Sequence, residues 1–185
     1  MTLQLDRGKV WTYQDYLELP EDGRRYEIID GVLYVSPSPR QIHQLLSRRL
    51  QFFFYQFELE GRGFVYDAPM DLLMPGCTPV QPDLIFLTRE QRPLILDKYI
   101  EGVPELLVEI LSPSTRSLDR VQKLNRYAKN GVQFYLIVDP EASTLEVFIH
   151  QAGRFVLDAS LGQEDSWTYQ DRTLDLAALF TPLPD

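Results

Sequence analysis

The chain has 185 residues, 44% hydrophobic and 24% charged, which is ordinary for a globular protein and long enough for one domain with its own core. A net charge of -9 argues against broad, non-specific nucleic-acid binding through a basic surface, but not against a local basic groove. The single Cys77 excludes an intrachain disulfide and a cysteine-cluster zinc site, and no apolar run approaches the ~20 residues of a membrane span.

Met1 to Asp6 carry no clear signal, and the absence of a signal-peptide pattern makes the cytoplasm the expected compartment. Thr12 caps a short predicted helix over Tyr13–Leu19 that Pro20 ends. After a turn at Glu21-Asp22-Gly23, strand-like runs at Arg25–Ile29 and Val32–Val35 flank Asp30-Gly31, a strong hairpin signal. From Arg40 to about Glu60, apolar residues Ile42, Leu45, Leu46, Leu50, Phe53, Phe54 and Phe57 recur at spacings of three and four, which predicts a long amphipathic helix. Strands are expected at Phe64–Tyr66, Met70–Met74 and Pro82–Leu87, and Thr88–Val103 reads as irregular with one helical turn. Gln133–Val138 reads as a buried strand, Thr144–Ile149 and Arg154–Leu157 as a hairpin, and Leu174–Leu179 as a closing helical turn.

The informative stretch lies between, at Pro104–Gly131. Leu106–Leu111 has the length and composition of a buried strand, broken by one carboxylate, Glu109. Burying an unpaired ion costs several kcal/mol, on the order of its desolvation penalty, so Glu109 must be protonated, paired or bound to a metal. Ser114 or Thr115 then caps a helix that runs to Asn130-Gly131. Strands around two longer helices, with one helix between two strands, predict a mixed sheet flanked by helices in a single domain over residues 1–185, with its core at about 12–150.

Asp83 sits at the mouth of one apolar run and Glu109 inside the next. If those strands are neighbours, both carboxylates project to one place, where two hard oxygen donors suit Mg²⁺ or Mn²⁺. Each has a plainer reading: Asp83 as the start of a strand, Glu109 as a partnered structural acid. Lys123, two turns into the helix, has the chemistry to orient water or steady charge on a phosphate, but four residues after Asp119 it also reads as half of a surface ion pair. A helical wheel puts Leu118, Val121, Leu124, Asn125 and Ala128 towards the sheet and Lys123 away from it, with Asp119, Arg116 and Tyr127. Arg116, Arg120, Lys123 and Arg126 would then form a local basic patch able to touch phosphates. His43, at the polar edge of the long helix, is either structural or a proton-transfer group. Glu27, in the first hairpin, either faces solvent or is an auxiliary acid.

Taken together, Arg25-Tyr26-Glu27-Ile28-Ile29-Asp30-Gly31, Ser36-Pro37-Ser38-Pro39 with His43, Pro82-Asp83-Leu84, Val108-Glu109-Ile110-Leu111-Ser112-Pro113-Ser114-Thr115, then Asp119, Lys123, Tyr127, Gly131 and Val138-Asp139-Pro140 resemble the Uma-type family of restriction-endonuclease-like proteins. The resemblance covers roughly residues 12 to 148. It implies the PD-(D/E)XK nuclease fold, a mixed central sheet with flanking helices, and a Mg²⁺-dependent phosphodiesterase site. It makes Asp83 and Glu109 metal ligands, adds the backbone carbonyl of Ile110, and implies that Lys123 replaces the lysine that the pattern places two residues after the acid, where this chain has Leu111. The expected function is thus a metal-dependent DNA endonuclease, with His43 and Glu27 as further site residues. A homodimer is expected from the two-fold symmetry of a duplex. The rivals are a catalytically silent nucleic-acid-binding or regulatory protein and a small-molecule phosphodiesterase on the same site.

Overall fold

The computed structural model describes residues 3–5, 9–20, 22, 24–36, 38–113 and 115–183. Glu21 and Gly23 of the expected turn, Pro37, and Ser114, one of the two expected helix caps, lie outside the described residues.

The N-terminal part begins with β1 (Leu3–Leu5), α1 (Tyr13–Leu17), β2 (Arg25–Ile29) and β3 (Val32–Ser36). Thr12 and Asp15 cap α1 reciprocally, as the sequence predicts. Asp30 and Gly31 both take positive φ, at 50° and 76°, which is the mirror-image turn that joins β2 to β3 without splaying them. β1, silent in the sequence, pairs antiparallel with β3. The long helix is α2 (Gln41–Leu59), with Leu45, Leu46, Leu50, Phe53, Phe54 and Phe57 buried and Ile42 exposed.

β4 (Gly63–Asp67), β5 (Asp71–Leu73) and β6 (Leu84–Thr88) follow. The stretch expected to be irregular holds a 3₁₀ turn at Arg89–Leu94 and a strand, β7 (Tyr99–Glu101), which pairs parallel with β5. Then come β8 (Leu106–Ile110), a π-helical segment at Leu118–Lys123 continuing into α3 (Leu124–Asn130), β9 (Phe134–Asp139), β10 (Thr144–Gln151) and β11 (Arg154–Leu161). The helix starts from Ser112, whose carbonyl accepts from Arg116 N–H at 3.0 Å and whose hydroxyl accepts from Thr115 N–H at 3.3 Å. It stops at Gly131, φ 84°, where Val132 N–H reaches back to the Tyr127 carbonyl. The chain closes with a hairpin absent from the sequence reading, β12 (Ser166–Tyr169) and β13 (Arg172–Asp175), and α4 (Leu176–Phe180) capped by Asp175.

The central sheet runs β11-β10-β9-β8-β6-β4, parallel between β8 and β9 and antiparallel elsewhere. Strand alternation sorts its side chains. Leu84, Phe86, Leu106, Val108 and Ile110 pack with α2, the final hairpin and α4, while Ile85, Leu87, Leu107 and Leu111 pack on the other face with Leu118, Tyr127 and the β5–β7 layer. This is the mixed sheet flanked by helices that the sequence predicts.

Candidate active site

β6 and β8 are neighbours, and their register pairs Leu84 with Val108. Carried one residue further, it sets Asp83 opposite Glu109. Both fall on the odd-numbered face, with Ile85 and Leu107, so period-two geometry alone brings the two carboxylates to one end of the sheet. Asp83 is 5% exposed and Glu109 2%.

Each acid has its own partners. Asp83 Oδ1 accepts from Arg25 at 2.7 Å, and its Oδ2 accepts from Ile110 N–H at 2.8 Å and lies 3.0 Å from His43 Nε2. Glu109 Oε1 accepts from Lys123 Nζ and from the Tyr127 hydroxyl, each at 2.9 Å. The Lys123 ammonium is also 3.0 Å from Glu27 Oε1 and 3.4 Å from Asp119 Oδ1. It is therefore not half of a surface pair. It is 1% exposed and sits among three carboxylates. Glu27 is equally buried, which overturns its solvent-facing reading, and it accepts a further bond from Gln81 N–H at 3.0 Å.

The wheel fails because the helix is not an α-helix throughout. In a π turn, residues five apart share a face, so Leu118 and Lys123 both point inward, and Tyr127 follows one α turn later. Asp119 is 1% exposed, whereas Val121, expected to face the sheet, is 54% exposed.

The basic patch expected from Arg116, Arg120, Lys123 and Arg126 does not form. Arg116 pairs with Asp139 and Glu141, and Arg120 with Glu146. Arg126 is buried and donates to the Ile28 carbonyl and to Thr78. All four cations are engaged within the protein.

The electrostatics divide the acids into two kinds. Burial pushes Asp83 up, but Arg25 and His43 outweigh it and hold the carboxyl well below the usual range. Glu27 is likewise held down, because Lys123 and Arg25 outweigh its burial. Burial raises Glu109 well above the ordinary value; Lys123 opposes this, and the charges of Asp119, Asp83 and Glu27 add to it. Asp119 is raised by the same burial. Lys123 goes up too: burial lowers it, but Glu109, Glu27 and Asp119 prevail. Four carboxylates (Glu27, Asp83, Glu109, Asp119) face the two cations Arg25 and Lys123, with the His43 ring against Asp83, so full ionisation would leave carboxylate in excess of Arg and Lys. Buried charge of that kind must be removed by protons or by a cation.

That excess is the test of fit for a divalent ion. Hard carboxylate oxygens are the right donors for Mg²⁺ or Mn²⁺, and Asp119 Oδ1 is buried without a hydrogen-bond partner. Among the described residues no three His, Cys, Asp or Glu side chains converge as a ready-made cage, and the Lys123 ammonium stands between Glu109, Glu27 and Asp119. The donor chemistry therefore fits on the Asp83–Glu109 side. For Ile110, the amide is engaged with Asp83. A cavity of about 270 Å³ opens onto this side, lined by Arg25, His43, Gln44, Ser47, Arg48 and Asp83 among others.

Sequence reasoning missed Arg25, Asp119 and Tyr127 as site residues. Arg25 was detectable, because it shares a face of β2 with Glu27 at period two. Asp119 and Tyr127 were detectable only as a stripe with Lys123 at spacings of four.

Comparison with known proteins gives the fold and the family. A solved structure described as a "putative nuclease" from Anabaena variabilis superposes with a TM-score of 0.75 at 19% identity, covering 91% of this chain and 97% of that one, and so shares its restriction-endonuclease-like fold. The type IIG restriction endonuclease BpuSI matches at a TM-score of 0.40 and 12% identity over 68% of this chain and 14% of that one. An uncharacterised protein of Synechocystis is 26% identical over 137 residues, 73% of this chain and 72% of its own. The model of the Uma2 family, described as "Putative restriction endonuclease", matches residues 13–179, and the chain belongs to that family.

Proposed function

We propose that this protein is a Mg²⁺- or Mn²⁺-dependent DNA endonuclease in which Asp83 and Glu109, with the carbonyl of Ile110, hold the ion. The observation that carries the reading is the buried excess of carboxylate at the end of β6 and β8, beside a cleft that reaches Asp83 and His43. When bound, the ion would lower the pKa of a coordinated water and stabilise charge developing on the phosphate.

The chain's own residues do the rest. Asp83 is kept ionised by Arg25 and His43, so it is a ready anionic ligand at neutral pH. Glu109, pushed up by burial, would hold the ion in its ionised form beside the Lys123 ammonium. Lys123, with its pKa pushed upward, stays an ammonium and is no proton acceptor. Its role is to orient Glu109 and to offset negative charge on the phosphate. His43 lines the cleft and touches Asp83, which makes it the side chain placed to move a proton there. Glu27 and Asp119 hold the ammonium in position.

The test is nicking of supercoiled plasmid with Mg²⁺, with Mn²⁺ and with EDTA, alongside Glu109→Gln. Metal-dependent nicking lost in the variant supports the proposal; nicking that survives EDTA or Glu109→Gln refutes it. One observation favours a second reading, a catalytically silent nucleic-acid-binding protein. Asp83 is already covered by Arg25, His43 and the Ile110 amide. Duplex binding without cleavage in either metal would select that reading.

A further inference from the structure

We infer that the polar stripe running from the α2 N-cap Arg40 through Gln44 to Arg48 is the ridge along which the sugar-phosphate backbone of duplex DNA lies as it passes the Asp83–His43 cleft. This rests on the nucleic-acid substrate of the proposed function and supplies the phosphate-contacting surface that the helix after β8 does not.

Most cations around the site already have internal partners. Arg116, Arg120, Lys123 and Arg126 are all spent on internal partners. Arg25 is bound to Asp83, and Arg49 donates to the carbonyls of Leu179 and Thr181. Arg40 and Arg48 are exposed and make no ion pair or side-chain hydrogen bond among the described residues. In a chain of net charge -9, an arginine left without an internal acid keeps its full attraction for an outside anion.

Arg48 lines the 270 Å³ cavity with His43 and Asp83. Arg40 lines a separate cavity of about 110 Å³ with His43, Leu111 and Pro113. His43 belongs to both walls, so the two guanidinium groups flank the side chain that touches the proposed metal ligand. Eight residues of helix separate them, roughly 12 Å along the axis. Gln44, Ser47 and Gln51 lie between or just beyond them in the same cleft wall and offer uncharged donors to further oxygens. The ridge is not uniformly positive: Asp67 lines the first cavity and Glu141 the second. That suits contact at chosen phosphates rather than a diffuse basic face. Arg48 also borders the larger groove of about 840 Å³ between α2 and the final hairpin, so the track continues away from Asp83.

The experiment measures binding by the full chain with EDTA present, so that cleavage plays no part. Fluorescence anisotropy of an end-labelled duplex of about 20 base pairs is recorded between roughly 50 and 200 mM salt, giving the slope of log K against log salt. Arg40→Gln and Arg48→Gln should each reduce the slope's magnitude by about 0.9, and the double variant by about 1.8. Arg120→Gln, which removes a cation already paired with Glu146, should leave the slope unchanged. Circular dichroism checks that each variant is folded. A double variant with the wild-type slope overturns the proposal, as does an Arg120→Gln effect of equal size or a wild type that does not bind at the lowest salt. A wild type that binds through Arg40 and Arg48 yet cuts nothing with Mg²⁺ or Mn²⁺ upholds the ridge and refutes the nuclease reading, so the two fail separately.

Discussion

Replacing Lys123 by Met keeps the length of the side chain and removes its charge. Spacing alone makes Lys123 half of an exposed (i, i+4) pair, for which the loss would be ~0.3–0.5 kcal/mol. The structure demands a larger number. The ammonium is 1% exposed, and it lies 2.9 Å from Glu109, 3.0 Å from Glu27 and 3.4 Å from Asp119, all of them buried. Without it, three carboxylates face one another in a site closed to water, with Arg25 the remaining cation beside them. Removing one partner of a buried ion pair costs about 3–5 kcal/mol, because the other partner stays buried and uncompensated. For a chain of this size that corresponds to a fall in Tm of roughly 6–20 °C. The assay is urea unfolding of wild type and Lys123→Met at neutral pH, repeated near pH 5 and with Mg²⁺. The loss should shrink at the lower pH, where the acids take up protons, and shrink with Mg²⁺ if the carboxylates accept the ion. A loss below about 1 kcal/mol at neutral pH would refute the buried-cage argument and return Lys123 to the surface.

Glu109→Gln keeps an acceptor for Lys123 and Tyr127 and removes one negative charge from the excess; we expect the apo protein to be at least as stable as wild type by thermal melting, while calorimetry shows Mg²⁺ binding lost. Asp83→Ala behaves differently, because it strands Arg25, His43 and the Ile110 amide; a loss of roughly 1.5–3 kcal/mol in urea is expected, and an unchanged midpoint would refute it. The pH dependence separates the two kinds of acid. Asp83 and Glu27 are held down in the folded state, so their contribution is full above the unfolded carboxyl pKa of about 4 and is lost as pH falls through their folded values. Glu109 is raised, so it favours the fold below about pH 4, and that advantage is lost as pH rises towards its folded value. The Tm of Glu109→Gln minus that of wild type should therefore increase from pH 4 towards neutral; a flat difference would exclude a raised Glu109.

Much of this architecture was legible in the chain, and the reasons differ by element. Asp83 and Glu109 stood out because a carboxylate inside or beside an apolar run is costly, and strand alternation then placed both on one face. The β2–β3 turn was legible because Asp30 and Gly31 tolerate positive φ. The orientation of Lys123 was not, because a 3.6-residue wheel has no way to represent a π turn. Asp119 was hidden for a related reason: its spacing to Lys123 is what a solvated pair also shows. β7 was missed because three residues carry too little pattern and gain their order from β5. The final hairpin was missed because Trp167, Tyr169 and Leu174 pack against Phe53, Phe54 and Phe57, more than a hundred residues earlier.

The π turn at Leu118–Lys123 amounts to a phase shift of one residue written into the helix. Everything before it keeps one angular frame and everything after it another. One surplus residue carries the whole shift. Deleting exposed Val121 would set Leu118 and Lys123 four apart, the spacing that shares a face in an α-helix, so the segment would relax to an α-helix with both still turned inward. Replacing Val121 by another side chain, which faces water, would leave that frame alone.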